Sequence, residues 1–296
     1  AVPMVIGIAA VLFFNVVDTF WVGQLGAESL AAMGFTFTVT MVVGNLTIGL
    51  RIGAPASIAR ALGSGDHSHV RRLTTDALLL GVLIVATVSA FGLLTMDPLF
   101  SALGAEPELI ELIRQYMVPW YLGVALLVIP MLGNGAIRAT GDTMTPAFVM
   151  VGAGLTTAVI DPLLIFGWGP IPALGLRGAA YATVASYLVG VLGASYMLVV
   201  REKMSDFSIP RPVEVLASWK AILRIGLPAA GTNLLTPLAA GAVTRVVAGH
   251  GAAAVAAYGV GSRIEGLSMI GVFAMTAAVT PYVAQNLGAK DGERIR

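Results

Sequence analysis

Eight apolar runs, each long enough to cross a lipid bilayer, constrain this chain more than any other feature: 2–23, 30–58, 73–95, 112–135, 145–167, 176–200, 219–248 and 255–287. A hydrocarbon core about 30 Å thick is crossed by roughly 20 residues of helix. The runs therefore predict an all-α, polytopic membrane bundle of eight transmembrane helices. Glycine, proline and charge gather at the joints, as in "LGSGDHSHVRR", "LGAEPELIE", "ATGDTMTP" and "GWGPIPALG".

Composition agrees and removes several classes of function. Apolar residues make up 57% of the chain and charged residues 11%; ordinary soluble domains carry about twice that charge. A net charge of +1 offers no basic surface to nucleic acid. The absence of cysteine excludes disulfides, thiolate zinc sites, iron–sulfur clusters and cysteine nucleophiles. No cofactor is expected. His67, His69 and His250 have no ligand-spaced partners, so no metal is expected beyond Na⁺. No basic region precedes the first apolar run, which argues against a cleavable signal peptide. Without an initiator methionine, and ending at "KDGERIR", the chain reads as an N-terminal two-thirds fragment.

Lysine and arginine give an orientation. With residue 1 starting in the cytoplasm, inner loops hold Arg60, Arg71, Arg72, Arg138, Arg201 and most other basic residues. Outer loops hold only Arg114, Arg177 and Arg245. That bias predicts a cytoplasmic N-terminus in the cell (inner) membrane. The longest connection, 201–218, leads into "VEVLASWKAILRIGLP", which reads either as an interfacial helix or as the first turns of the seventh span.

An offset of 225 residues superimposes the start of the chain on its end. Pro3 meets Pro228, "LGAESLAAMG" meets "HGAAAVAAYG", and "ARALGSGD" meets "AQNLGAKD". Six spans separate the copies, an even number, so both run in the same direction. This predicts two six-helix halves related by an axis along the membrane normal. Residues 1–205 form the first bundle, 206–218 a cytoplasmic linker, and 219–296 the first two helices of the second bundle.

Two carboxylates lie within the first six spans. Asp18 stands five residues before Gly23 and Asp161 six before Gly167, on helices running the same way. At 1.5 Å per residue both lie about 8–9 Å below the outer end. A charge in that setting costs about 2.5–3.5 kcal/mol, so it points inward, finds a cation or takes up a proton. Equal depth suits two groups that share a pocket. Asn15 is one turn from Asp18 on the same face.

The stretches "NVVDTFWVGQLGAESLAAMG", "GAIRATGDTMTP", "DPLLIFGWGPIPALGLRGAAYAT" and "VAAYGVGSRIE…TPYVAQNLGAKD" resemble the multidrug and toxin extrusion (MATE) transporters over essentially the whole chain. The wider group includes flippases for polysaccharides and lipid-linked precursors. The resemblance implies a cation site at Asp18, Asp161, Thr157, Thr183 and Asn15, with Thr157 standing where better-studied members carry asparagine. It places Tyr116 and Asn134 on the substrate cavity, and Pro3 at a bend in the first helix. Met150 and Arg51 are further cavity candidates; for Arg51 the bland alternative is snorkelling to the inner surface. An acidic residue that some members carry in the seventh helix is missing, since "TNLLTPLAAG" offers Thr236 and no carboxylate before Glu265. Arg263 and Glu265, two apart, point to different sides of their helix.

The function implied is a monomeric secondary antiporter, in contact with the lipid bilayer. It would export amphipathic organic cations in exchange for H⁺ or Na⁺ by alternating access. A flippase for a lipid-linked saccharide precursor is the alternative. A membrane-embedded enzyme is more distant, because HExxH, GxSxG and P-loop patterns are all missing.

Overall fold

Three long helices open the chain with tight joints between them: α1 (Val2–Gly23), α2 (Ala27–Gly63) and α3 (His67–Leu94). In this computed structural model, residues 2–206, 208, 211–250, 258, 261, 265 and 268–291 are described. A short α4 (Met96–Ala102) precedes a span made of α5 (Pro107–Gly123), a 3-10 turn at Val124–Leu127, and α6 (Val128–Ala139). Then come α7 (Met144–Phe166), α8 (Leu176–Tyr196, prolonged by wider π-type turns to Arg201), α9 (Pro212–Ala248) and α10 (Ile270–Gly288). Among the described residues nearly everything is helical, and only an isolated bridge between Trp168 and Ile171 is of β type.

Among the described residues, six helical stretches, from Val5–Gly23 to Leu176–Arg201, are long and apolar enough to cross a membrane. Large apolar side chains such as Phe13, Leu83, Phe91, Leu122 and Leu192 cover their outer faces. The helices outrun the apolar segments that predicted them. Thus 30–58 lengthens to Ala27–Gly63, and 112–135 to Pro107–Ala139, because polar residues extend the helical ladder past the hydrocarbon. Of the expected span 255–287, the described helix covers Ile270 onward; Arg263 lies outside the described residues.

The stretch after the long connection belongs to the seventh helix. α9 runs unbroken for 37 residues, with Pro212 in its first turn where the missing N–H costs nothing. Val215, Ser218 and Ile222 are buried along one face. Trp219 Nε1 donates to the Asp76 carbonyl of α3 at 3.0 Å. The stretch is thus the first turns of α9 and not a separate helix, and the helical start moves back into 206–218.

That seat rests on a buried ion pair. Arg72 donates to Asp76 through Nε (3.0 Å) and Nη2 (2.5 Å), one turn apart on α3, with residue exposures of 9% and 0%. The backbone N–H of Asp206 donates to Thr75 Oγ1 at 2.9 Å, tying the connection to the same helix. Removing Asp76 leaves the buried Arg72 only the more distant carboxylate of Asp206, at 4.0 Å, so much of the cost of a stranded charge, about 3–5 kcal/mol, is expected to appear. Asp76→Ala is therefore expected to lower the unfolding temperature of the detergent-purified protein sharply. An unchanged melting curve would mean the pair carries no stability.

The "ATGDTMTP" joint is also structural. Asp142 Oδ1 accepts from the N–H groups of Met144 (2.9 Å) and Thr145 (3.0 Å), capping α7, while Oδ2 meets Arg201 at 3.2 Å. Burial alone would raise the Asp142 carboxyl. The bonds from Thr145 and Met144 and the nearby Arg201 outweigh it and hold the group below its usual range.

Helices meet at glycines where backbones touch. A Cβ at Gly226 would lie 2.6 Å from Gly49 O, so α2 and α9 cross with no side chain between them. At the C-terminal ends of α2 and α10 the contact is reciprocal. A Cβ on Gly63 would overlap the Gln285 carbonyl, and one on Gly288 would overlap the Arg60 carbonyl. Arg60 and Gln285, like Gly63 and Gly288, are 225 residues apart. A contact of i with j matched by j with i is what a two-fold axis between the helices produces.

Candidate cation site between α1 and α7

α1 and α7 run side by side in the same direction, and three contacts fix their register. At the lower level a Cβ on Gly7 would lie 3.2 Å from Ala147 Cα. Half-way up, Phe14 fills the space that a Cβ on Gly154 would need. At the top Trp21 and Phe166 meet edge to face, with centroids 6.0 Å apart. Asp18 and Asp161 fall between the second and third of these levels.

The two carboxyl groups face each other within hydrogen-bonding reach. Asp161 is fully buried and Asp18 half-buried. Asp18 Oδ1 and both oxygens of Asp161 find no donor in the protein. Each of these atoms is an acceptor when ionised, so a bond between them needs a proton. Two bare carboxylates at this range repel, and a proton or a small cation between them removes the repulsion. The arrangement can therefore take up one positive charge.

Three side chains from other helices stand close. Tyr116, 6% exposed on α5, turns its hydroxyl toward Thr183 of α8 and lies near both aspartates. Thr183 Oγ1 also donates to the Ala179 carbonyl at 3.0 Å. Tyr187, near Asp18 and Trp120, completes the group. Sequence reasoning missed Tyr187, although it stands one turn after Thr183 and a step along that face would have found it. The Trp21 indole, buried one turn after Asp18 with its N–H unbonded, was missed as well.

The remaining candidates are placed differently. Thr157, one turn before Asp161, makes a long 3.5 Å bond back to the Ala153 carbonyl. Asn15 is exposed, and its carbonyl accepts from Thr19 Oγ1 at 2.9 Å. Met150 packs in the α1–α7 seam, its sulfur 3.6 Å from a Cβ position at Gly7. At eleven residues from Asp161, it lies about 16 Å along the helix from the pair. Asn134 is buried on α6 with its Oδ1 unbonded, and Arg51 is accessible on α2. Pro3 lies in the first turn of α1, but its side chain, like that of Thr236, lies outside the described residues. No group of three or more His, Asp or Glu side chains placed to hold a metal ion occurs among the described residues.

A bundle of membrane-length helices around a buried, donor-free carboxylate pair defines a polytopic membrane protein with a candidate cation site. The family model MatE matches residues 3–163 and 228–296. A protein of Shewanella oneidensis named "FAD transporter" is 41% identical, covering 100% of this chain and 66% of its own length. The "Probable multidrug resistance protein NorM" of Thermotoga maritima is 27% identical over 96% of this chain and 61% of its own. Among solved structures, the Vibrio cholerae MATE transporter VcmN in the bent form superposes with a TM-score of 0.92. It is 31% identical and covers 99% of this chain and 66% of that one.

The chain belongs to the MatE family. It spans about two thirds of the length of these relatives, which carry the names of transporters and not of enzymes.

Proposed function

We propose that the full-length protein is a secondary antiporter that exports a small organic molecule while H⁺ or Na⁺ enters through Asp18 and Asp161. The carboxylate pair carries this reading: three buried oxygens without a donor have no structural role that explains their cost. Loading and unloading a cation there would bias α1 and α7 between two packings, and cargo would bias them the other way. A coupling of about 1–3 kcal/mol changes affinity roughly 5–150-fold. In this reading residues 1–205 form one lobe, 219–296 begin the second, the N-terminus is cytoplasmic, and eight helices of the chain span the membrane.

The cargo has two readings. The multidrug relatives favour amphipathic organic cations, as the sequence resemblance implied. The 41% identity with the FAD transporter over the whole chain, against 27% for the Thermotoga protein, supports a flavin dinucleotide instead. We take the dinucleotide as cargo. In proteoliposomes of the full-length protein, an imposed pH gradient or Na⁺ gradient, applied separately, is expected to drive movement of FAD. Ethidium serves as the cationic comparison. FAD that moves equally fast with and without either gradient would remove the antiport reading, and ethidium moving in its place would restore the cationic cargo.

A further inference from the structure

The ion pairs of the described residues use Arg72, Arg114, Arg201 and Arg211 and leave without a carboxylate one arginine inside a helix and one in the last turn of its neighbour. These are Arg51 on α2 and Arg138 on α6. The two helices touch where Gly135 faces Pro55. A Cβ at Gly135 would lie 2.6 Å from Pro55 Cγ and 3.6 Å from Arg138 Nη2. The Arg138 guanidinium is thus folded back along its own helix toward α2. Arg51 lies one turn before Pro55 on the same side of α2. Proline has no N–H to offer the Arg51 carbonyl, which loosens the helix at that turn. The two guanidinium groups are near enough to repel each other. Arg51 keeps accessible surface although neighbouring helices crowd it, and Arg138 is half-buried. Both line a recess.

Snorkelling explains this poorly. A snorkelling arginine extends away from the protein toward the membrane surface, whereas Arg138 lies over Gly135 against α2. Two crowded cations with no acid between them are unfavourable unless an anion joins them. Guanidinium groups present planar forks of donors that match phosphate oxygens two at a time, and two forks match two linked phosphates.

We infer that Arg51 and Arg138 form a diphosphate-binding subsite, separate from the Asp18–Asp161 pair, which holds the diphosphate bridge of a dinucleotide cargo. The inference rests on the dinucleotide reading above for the identity of the cargo, but not for the chemistry of the subsite. It also accounts for selectivity: a cationic drug is repelled at the place where a nucleotide is held.

The test is equilibrium binding to the purified full-length protein, followed by flavin fluorescence, with FAD, riboflavin (which lacks phosphate) and inorganic pyrophosphate as competitor. Arg51→Gln and Arg138→Gln are each expected to weaken FAD binding at least about tenfold and to leave riboflavin binding unchanged. Arg138→Lys should restore part of the loss, and pyrophosphate should displace FAD from the wild type. Glutamine variants that melt like the wild type and bind FAD equally well would overturn the subsite, as would equal losses for FAD and riboflavin. Pyrophosphate or a polyprenyl diphosphate in liposomes, bound through these arginines while FAD is not, would sustain the subsite and remove the dinucleotide cargo. FAD transport indifferent to both arginines would do the reverse.

Discussion

Asparagine at position 161 is expected to abolish gradient-driven export by the full-length protein while expression and membrane insertion persist. Asp161 is fully buried, its two oxygens meet no donor, and the carboxyl group of Asp18 faces it. The amide keeps the size of the carboxyl but carries its own N–H groups, one of which can donate to Asp18. The variant therefore imitates a permanently loaded pair that can no longer release its charge. Folding should not suffer, because a charge that costs about 2.5–3.5 kcal/mol at membrane depth has been removed. Asp18→Asn should do the same from the α1 side. Export under a pH or Na⁺ gradient is expected to fall to the level of empty liposomes in both variants, and normal rates in both would remove the pair from the mechanism.

How far this pair could be read from the sequence shows where such reading stops. Counting residues from Gly23 and Gly167 put both aspartates at one depth, since rise per residue is fixed in a helix. Whether α1 and α7 are neighbours is a matter of packing. It depends on Gly7 against Ala147 and Phe14 against the flat surface at Gly154, contacts with no signature in either segment alone. Tyr187 was hidden for the same reason, because tyrosine in an apolar helix carries no mark of the pocket it faces. Apolar runs revealed the six membrane-length helices seen among the described residues but not their ends, which extend into polar turns such as those around Arg60 and Pro107. The amphipathic start of α9 was ambiguous because a face that seats on α3 and a face that seats on a membrane surface show the same period. Trp219 bonded to Asp76 separates the two, and only a tertiary contact could do so. The repeat, by contrast, is visible in the sequence as a constant offset, and the contacts of Gly63 with Gln285 and of Gly288 with Arg60 follow the same offset.

That reciprocal contact leads to an expected result as large as the first. The C-terminal ends of α2 and α10 meet through backbone, and the atoms in the way of an added Cβ are carbonyl oxygens, which no side-chain rotation can clear. In the proposed alternating-access cycle these ends part and rejoin, so a methyl group on either glycine penalises the joined state. Overpacking of this kind costs about 1–3 kcal/mol, which shifts the balance between joined and parted ends roughly 5- to 150-fold. Gly63→Ala and Gly288→Ala are expected to slow export by a factor in that range, and Gly63→Val to stop it, with cation binding at the distant aspartates preserved. The chain has no cysteine, so a pair introduced by Arg60→Cys and Gln285→Cys reports the joined state without background. Cross-linking should be efficient in the glycine parent and weak in the Gly63→Val variant. Equal cross-linking and equal export in the two would mean that the helices join elsewhere during transport and that the contact is incidental.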